Sequence, residues 1–234
     1  MAGCTMPEVI DEQEAPARLV RVNAVYEAIE ERILNRSLPA GERINIDALA
    51  RALCVSPTPV REALGRLAAE RYVNFSPYKG YAVVPAPTPR QHADMTGVRR
   101  LLEVEGARQA VARATATHLY ALRRELDTIA AALAQDAVDT TRWRAHSRMI
   151  HDLLMRAADN DALYDVWRSL KAPFMIARVY FGLAEVNYPV AFTEHRAIYE
   201  AIRSRDAEAA AAAVHAHIDA AEERIVGAFA AGNR

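Results

Sequence analysis

Apolar residues near the N-terminus follow helical spacing. From Ala17 they recur in alternating steps of three and four, which predicts an amphipathic helix. The residues of this series are Leu19, Val22, Tyr26, Ile29 and Ile33. The series stops where Pro39 and Gly41 break the pattern. Residues 1–16 are polar, acidic and interrupted by two prolines, so we expect a flexible arm there.

Two shorter helices separated by a tight turn are predicted next. The first spans about residues 47–53, and the Asn45 side chain can cap its free backbone N–H groups. Leu49 and Leu53 are its predicted core positions. The second begins at Pro57, where proline costs little because first-turn N–H groups have no partner within the helix.

The second of these helices has a core side and an exposed side. Its predicted core residues are Val60, Leu64 and Leu67. Arg61 projects from the opposite side, near the N-terminal end. Either Ser56 or Thr58 can cap this helix, and the pattern leaves the choice open.

A two-stranded hairpin follows the helices. Residues 73–75 and 81–83 alternate in strand fashion around a turn at residues 76–80. Gly80 can adopt a positive φ without a Cβ clash, and Lys79 lies at the exposed tip. Two helices and a hairpin in this order are the layout of a winged helix-turn-helix, which places its second helix in the DNA major groove.

The remainder of the chain is predicted to be helical. Alternating prolines at residues 85–90 indicate a stiff, extended linker. Beyond it, an all-α bundle of about six helices is expected over residues 91–230. The expected spans are 91–116, 119–135, 140–157, 161–182, 189–204 and 207–230. The chain is therefore predicted to be mostly α, with a winged helix-turn-helix over residues 17–84 and a helical bundle after it.

Composition narrows the class of protein further. Of the 234 residues, 52% are apolar, but no apolar run reaches the ~18 residues that span a bilayer, and no signal-peptide pattern is present. Two cysteines are too few for a disulfide framework, so a reducing cytoplasm is expected. The net charge is only −1, which leaves DNA binding to a local basic patch. The basic residues of the first half include Arg51, Arg61, Arg66, Arg71 and Lys79.

The sequence resembles the GntR superfamily of bacterial transcription regulators, and within it the FadR-type branch with a C-terminal FCD ligand-binding domain. Residues 53–64, LCVSPTPVREAL, are similar to the family's L-G-V-S-R-T-P-V-R-E-A-L, and the resemblance extends over residues 17 to about 227. It implies a homodimer that reads a two-fold-related operator in double-stranded DNA. The DNA-contacting residues that it implies are Ser56, Thr58, Arg61, Lys79 and Gly80.

Three residues depart from the family pattern in the DNA-binding half. Cys54 stands where the family usually has glycine, so the turn must accept a Cβ there. Pro57 replaces an arginine that commonly reaches DNA, and Asp47 replaces an arginine found in some members. We therefore expect a different operator preference, with more of the readout carried by Arg61.

The same resemblance implies a metal site in the helical half. Metal-binding members place an Asp and a His four residues apart on one helix, with two further His on later helices. His151, His195 and His217 match these histidines, and such a set binds Zn²⁺, Ni²⁺ or Mn²⁺ with positions left for an effector carboxylate. Ser147 occupies the Asp position. A hydroxyl is a poor ligand, so a three-His site, a site completed by water or effector, and no metal all remain open.

Arg99 matches a family arginine that faces the effector cavity, where a guanidinium can pair with a carboxylate. It can also pair with Glu103, one helical turn away. His146 lies about 100° around the helix from Ser147 and is not expected to replace it as a ligand. The remaining histidines are interpreted as surface or core residues, and they are His92, His118 and His215.

These observations favour a ligand-responsive transcription regulator, a repressor by resemblance, that binds a small organic acid near a metal and has no membrane partner. One alternative keeps the DNA-binding role with a metal-free effector pocket. Another is a metal-dependent enzyme built on the three histidines, which the motif at residues 53–64 argues against. We therefore expect no enzyme.

Overall fold

The computed structural model describes residues 14–180 and 187–232. The chain divides into two compact units, Met1–Ala86 and Pro87–Arg234. The elements of the first unit are α1 (Glu14–Leu34), α2 (Ile46–Ala52), α3 (Pro57–Ala69), β1 (Val73–Ser76) and β2 (Gly80–Val83). Those of the second are α4 (Pro89–Arg113), α5 (Ala116–Ala134), α6 (Thr140–Ala157), α7 (Asp161–Tyr180), α8 (Tyr188–Arg203) and α9 (Ala207–Gly232). The predicted fold class, a winged helix-turn-helix followed by an all-helical domain, is confirmed.

The core of the first unit forms where α1 packs against α3. Ile29 and Ile33 are buried there, as are the predicted core residues of α3. The hydroxyl of Tyr72 donates to Oε1 of Glu30 at 2.5 Å and ties the end of the α3 region to α1. Leu19 belongs to the predicted apolar series but is 61% exposed.

Basic residues of the first unit do not all face solvent freely. The Arg66 guanidinium donates to Oδ1 of Asn23 at 2.6 Å and lies 4.8 Å from the ring centre of Tyr26. Both partners belong to α1, so Arg66 holds α3 against α1. Of the basic residues in the first half of the chain, Arg66 therefore has a structural role in addition to its charge.

The turn between α2 and α3 has the predicted caps and one strained residue. Oδ1 of Asn45 accepts the N–H of Ala48 at 2.9 Å, which confirms the predicted N-cap. Cys54 has a φ of +54°, a left-handed conformation that glycine adopts more easily. Ser56, not Thr58, occupies the N-cap position of α3, although its side chain makes no capping hydrogen bond. Leu53 is only partly buried, because it is the C-cap residue where the chain leaves α2.

The hairpin pairs Val73 with Val83 and Ser76 with Gly80 in antiparallel register. Residues 41–44 add hydrogen bonds along the outer side of β2, including the N–H of Ile44 to the carbonyl of Tyr81 at 2.9 Å. The chain between α1 and α2 therefore braces the hairpin on its second side.

The predicted linker at residues 85–90 is too long by two residues. Thr88 and Gln91 form a reciprocal capping box, so α4 begins at Pro89. Proline at this first position is favourable because its fixed φ suits a helix and its missing N–H would have no partner. The last residues of the predicted arm, from Glu14 to Pro16, belong to α1, and residues 1–13 lie outside the described residues.

Helix α4 is central to the second unit and packs against α6, α7, α8 and α9. Gly106 permits the close approach of α6, because a Cβ at this position would lie 2.6 Å from Sδ of Met155. The alanine-rich start of α9 packs closely on α4, with Ala210 and Val214 fully buried. Within the described part of the chain, no helix combines the length and hydrophobicity needed to cross a membrane.

Candidate metal centre and DNA-binding surface

Three buried histidines from three helices meet inside the second unit. His151 comes from α6, His195 from α8 and His217 from α9. One ring nitrogen of each lies within 4.8 Å of those of the other two. The Nε2 atoms of His151 and His217 are 3.1 Å apart. Two nitrogens on a tetrahedral metal with bonds of about 2.0–2.1 Å would be about 3.3–3.4 Å apart, so the spacing suits a shared ion.

Glutamates hold the outer nitrogens of two of these rings. Oε2 of Glu103 lies 2.8 Å from Nδ1 of His151, and Oε2 of Glu194 lies 2.8 Å from Nδ1 of His217. Arg224 donates to both oxygens of Glu194, at 2.9 and 3.0 Å. Burial would raise the pKa of Glu194, but hydrogen bonds from His217 and Arg224 outweigh it and lower this pKa to about 2.

These contacts determine where the imidazole protons lie. A carboxylate only accepts hydrogen bonds, so the contact with Glu194 places the proton of His217 on Nδ1, and the approach of Glu103 favours the same tautomer in His151. Burial lowers the pKa of His151 to about 4 despite the nearby Glu103, and burial also lowers the pKa of His217. Both rings are therefore neutral at pH 7, and their facing Nε2 atoms are unprotonated. Two unprotonated nitrogens 3.1 Å apart are an arrangement that a shared cation could occupy.

The third histidine of the cluster is supported differently. Nδ1 of His195 lies 3.1 Å from Nε2 of a fourth buried histidine, His146. Nδ1 of His146 lies in turn 2.9 Å from Oε1 of Glu125 on α5. The Trp143 ring stacks on His195, with 5.5 Å between centroids and an angle of 5° between the planes. The orientation of His195 is therefore fixed by aromatic packing as well as by hydrogen bonding.

A charged network joins the histidine cluster to Arg99. Arg99 donates to both oxygens of the fully buried Glu103, at 2.6 and 3.3 Å. Trp167 donates its indole N–H to Oε1 of Glu103 at 2.7 Å. Burial raises the pKa of Glu103, but the Arg99 guanidinium and His151 outweigh burial and hold it well below its usual range. Arg99 therefore forms the ion pair with Glu103 that its spacing along the helix allows.

A cavity of about 40 Å³ borders this network. Its polar lining includes Ser147 and His151, one turn apart on α6, together with Arg99. Phe174 forms part of its apolar wall, and the centre of its ring lies 4.4 Å from Cζ of Arg99. Arg99 and Ser147 therefore lie at one cavity, next to the histidine cluster.

Sequence reasoning missed the glutamates that support the cluster and the role of His146. Glu125 and Glu194 reach the rings from separate helices, and no spacing in the sequence connects them with those rings. Outside the cluster, His92 is buried and stacks on Phe174. His118 completes the capping box of α5, and the exposed His215 lies 2.9 Å from Asp219.

The residues that resemblance assigns to DNA contact are on the surface of the first unit. Ser56 is exposed at the N-cap of α3, and Thr58 and Arg61 are exposed on its first turns. Lys79 is exposed in the turn between β1 and β2, followed by Gly80 with a φ of +74°. The side chains of Ser56, Thr58, Arg61 and Lys79 are therefore accessible from solvent.

Comparison with known proteins identifies both units. The family model described as bacterial regulatory proteins of the gntR family matches residues 21–83, and the FCD domain model matches residues 94–220. The HTH-type transcriptional regulator YdhC of Bacillus subtilis is 24% identical over 194 residues, which are 83% of this chain and 86% of that protein.

A second relative and a solved structure agree. The gluconate operon transcriptional repressor of Bacillus subtilis is 23% identical over 209 residues, 87% of this chain and 84% of the relative. The structure of Escherichia coli McbR/YncC superposes with a TM-score of 0.72 at 20% identity, covering 91% of this chain and 99% of that one. The chain therefore belongs to the GntR family of bacterial transcription regulators, in the group that carries an FCD domain.

Proposed function

We propose that this regulator is a homodimeric repressor whose FCD domain binds a divalent metal and a small organic acid, and whose operator affinity changes when the acid binds. GntR regulators bind operator DNA and small-molecule effectors. The observation that carries the finer proposal is the buried meeting of three histidines, two of them held by glutamates so that unprotonated nitrogens face one another.

His151, His195 and His217 would hold the metal. A transition metal such as Zn²⁺, Ni²⁺ or Mn²⁺ accepts imidazole nitrogens, and it supplies a positive charge that attracts a carboxylate. The carboxylates of Glu103 and Glu194 support this role because such partners fix the tautomer and orientation of a ligand imidazole. Three protein ligands leave room for a further one, which suits a regulator that senses a ligand.

The effector we propose is a compact carboxylic acid. Arg99 offers positive charge at the cavity, and the Ser147 hydroxyl can donate a hydrogen bond. Apolar side chains on the other wall suit a short carbon skeleton, and they are Leu170, Phe174 and Met175. The relative that is named for a gluconate operon is, by that name, connected with an organic acid.

A metal-free effector pocket is the second candidate. Ser147 favours it, because a neutral hydroxyl replaces the carboxylate ligand that resemblance leads us to expect at this position. In this case the acid would be held by Arg99 and the cavity wall alone. Operator release by the acid would then be the same in chelated and in metal-loaded protein.

The test is operator binding in the presence of candidate acids. An operator is first selected from random duplexes with purified protein, and its affinity is then measured with metal-loaded and chelated protein and a panel of short hydroxy- and dicarboxylic acids. We expect one acid to lower operator affinity by about 5–150-fold, and only with metal present. If no acid changes the affinity in either form, the ligand-responsive part of the proposal is wrong.

Arg61 is expected to carry base recognition on α3. Arg61→Ala should weaken binding to the selected operator by about 10–100-fold per half-site, because a bidentate contact to guanine contributes about 1–3 kcal/mol. Specificity at that base pair should also relax. Fluorescence anisotropy with labelled operator and scrambled duplexes measures both effects.

The control is Arg21→Ala, which removes an equal charge from an exposed position on α1 of the same unit. It should weaken operator and scrambled DNA alike and only slightly. Equal losses for the two variants on both duplexes would assign Arg61 to nonspecific attraction rather than to base readout.

A further inference from the structure

We propose that His146, together with Glu125, is a positioning residue that fixes the tautomer of His195 and so presents a metal-binding nitrogen to the cluster. This inference rests on the proposed function, since it concerns the metal site. His146 is not one of the three clustered ligands, and the resemblance assigns it no role.

The three rings of the cluster are supported by different groups. His151 and His217 each place Nδ1 directly against a glutamate, at 2.8 Å in both cases. At His195, Nδ1 lies instead 3.1 Å from Nε2 of another imidazole, that of His146. The carboxylate of this third arm, Glu125, is one residue further out, 2.9 Å from Nδ1 of His146.

The order of hydrogen bonds in this arm allows one arrangement of protons for neutral rings. The Glu125 carboxylate accepts, so Nδ1 of His146 donates and Nε2 of His146 is left unprotonated. Nε2 of His146 can then only accept, so Nδ1 of His195 must donate to it. The proton of His195 is thereby placed on Nδ1, and its Nε2 becomes the unprotonated nitrogen.

This result matches the other two arms. In each of the three rings the outer Nδ1 carries the proton and Nε2 is available to the cluster. A single interposed imidazole therefore gives His195 the same tautomer that a carboxylate gives directly to His151 and His217. Without His146, the acceptor 3.1 Å from Nδ1 of His195 would be lost, and only the tautomer with its proton on Nδ1 can bind a metal through Nε2.

Packing makes the arrangement hard to replace. His146 and His195 are 3% and 1% exposed. The Trp143 ring stacks on His195 and packs at an angle against His146. Glu125, by contrast, keeps 24% of its side chain exposed. The arm therefore runs from solvent to the buried cluster and is closed to water near His195, so water would not readily replace the His146 acceptor.

The first measurement needs no metal. In chelated protein labelled with ¹⁵N-histidine, two-bond ¹H–¹⁵N correlations identify the tautomer of each neutral ring. We expect His195 to carry its proton on Nδ1 in the wild type, to lose this preference in His146→Leu, and to regain it in His146→Gln. The glutamine side-chain oxygen can accept the same hydrogen bond, whereas leucine fills the space without an acceptor.

The second measurement is a Co²⁺ titration followed by visible absorption and calorimetry. His146→Leu should weaken Co²⁺ binding by about 10–100-fold, and His146→Gln should restore most of the affinity. His215→Gln is the control on α9, because His215 is exposed and lies outside the cluster. It should leave both the Co²⁺ affinity and the spectrum unchanged.

The outcomes separate this inference from the metal site itself. Wild-type protein that does not bind Co²⁺ would contradict the proposed metal site, while the tautomer of His195 would still test the role of His146. A proton on Nε2 of His195 in the wild type, or an unchanged tautomer and Co²⁺ affinity in His146→Leu, would overturn the inference. If His146→Leu does not fold, Glu125→Ala removes the outer end of the same arm and decides between the same outcomes.

Discussion

Protein in which His217 is replaced by alanine is expected to bind Co²⁺ or Zn²⁺ at least about 100-fold more weakly than the wild type. The loss should exceed the ~10–100-fold effect of a missing supporting partner, because the substitution removes a ligand atom itself. His217 is 4% exposed, and its Nε2 lies 3.1 Å from that of His151. The remaining pair of histidines is a weaker and less selective site.

The measurement has two parts. Metal content is determined by mass spectrometry on protein purified without chelator or nickel resin, and affinity is measured by Co²⁺ titration of chelated protein. Metal at 100 times its dissociation constant should also stabilise the wild type by about 2.7 kcal/mol, an increment that the variant should lack.

His215→Ala is the matched control, since it makes the same substitution two residues away on α9 at an exposed side chain. Its metal content should equal that of the wild type. Circular dichroism of the chelated proteins establishes that both variants are folded. Equal metal binding by His217→Ala and the wild type would contradict the site, and no metal in either would favour the metal-free pocket.

Replacing Glu103 with alanine is expected to lower the free energy of unfolding by about 3–5 kcal/mol. The substitution leaves the Arg99 guanidinium buried without its anion, and an unpaired buried charge costs about this much. The indole N–H of Trp167 would lose its acceptor as well. Urea unfolding of chelated protein measures this effect without any contribution from metal binding.

The control is Glu208→Ala. Glu208 is also paired with an arginine of α4, Arg108, at 3.3 Å, but 82% of its side chain is exposed. Exposed ion pairs contribute little, so this variant should lie within about 0.5 kcal/mol of the wild type. The double variant Arg99→Met with Glu103→Leu should recover much of the loss, because it leaves neither charge unpaired. Equal stability losses for Glu103→Ala and Glu208→Ala would show that burial does not matter at this pair.

The two experiments address different properties of one network. Glu103 holds Arg99 at the cavity and His151 at the cluster, so its carboxylate links the proposed acid-binding cation to a proposed metal ligand. An acid that pairs with Arg99 would have to share that cation with Glu103. This link is a reason to measure the acid and metal dependence of operator binding together.

Much of the fold follows from local patterns in the sequence. Helical periodicity predicted α1 and the core face of α3, and the strand alternation near Gly80 predicted the hairpin, because these periods depend only on backbone geometry. The motif at residues 53–64 predicted the family, which the family models confirm. Helix ends were predicted less well. The capping box of Thr88 and Gln91 extended α4 into the expected linker, and Leu19 of α1 is exposed although its spacing matches the buried residues of that helix.

The sequence by itself determined the fold class, the family and the three histidines that are candidate metal ligands. It could not determine which groups surround them. Glu103, Glu194 and the pair of His146 and Glu125 reach the rings from different helices, and distances between helices depend on how whole helices pack rather than on spacing along the chain. Only the tertiary structure decided which imidazole nitrogens carry protons, because a tautomer depends on the nearest acceptor, and packing places that acceptor there.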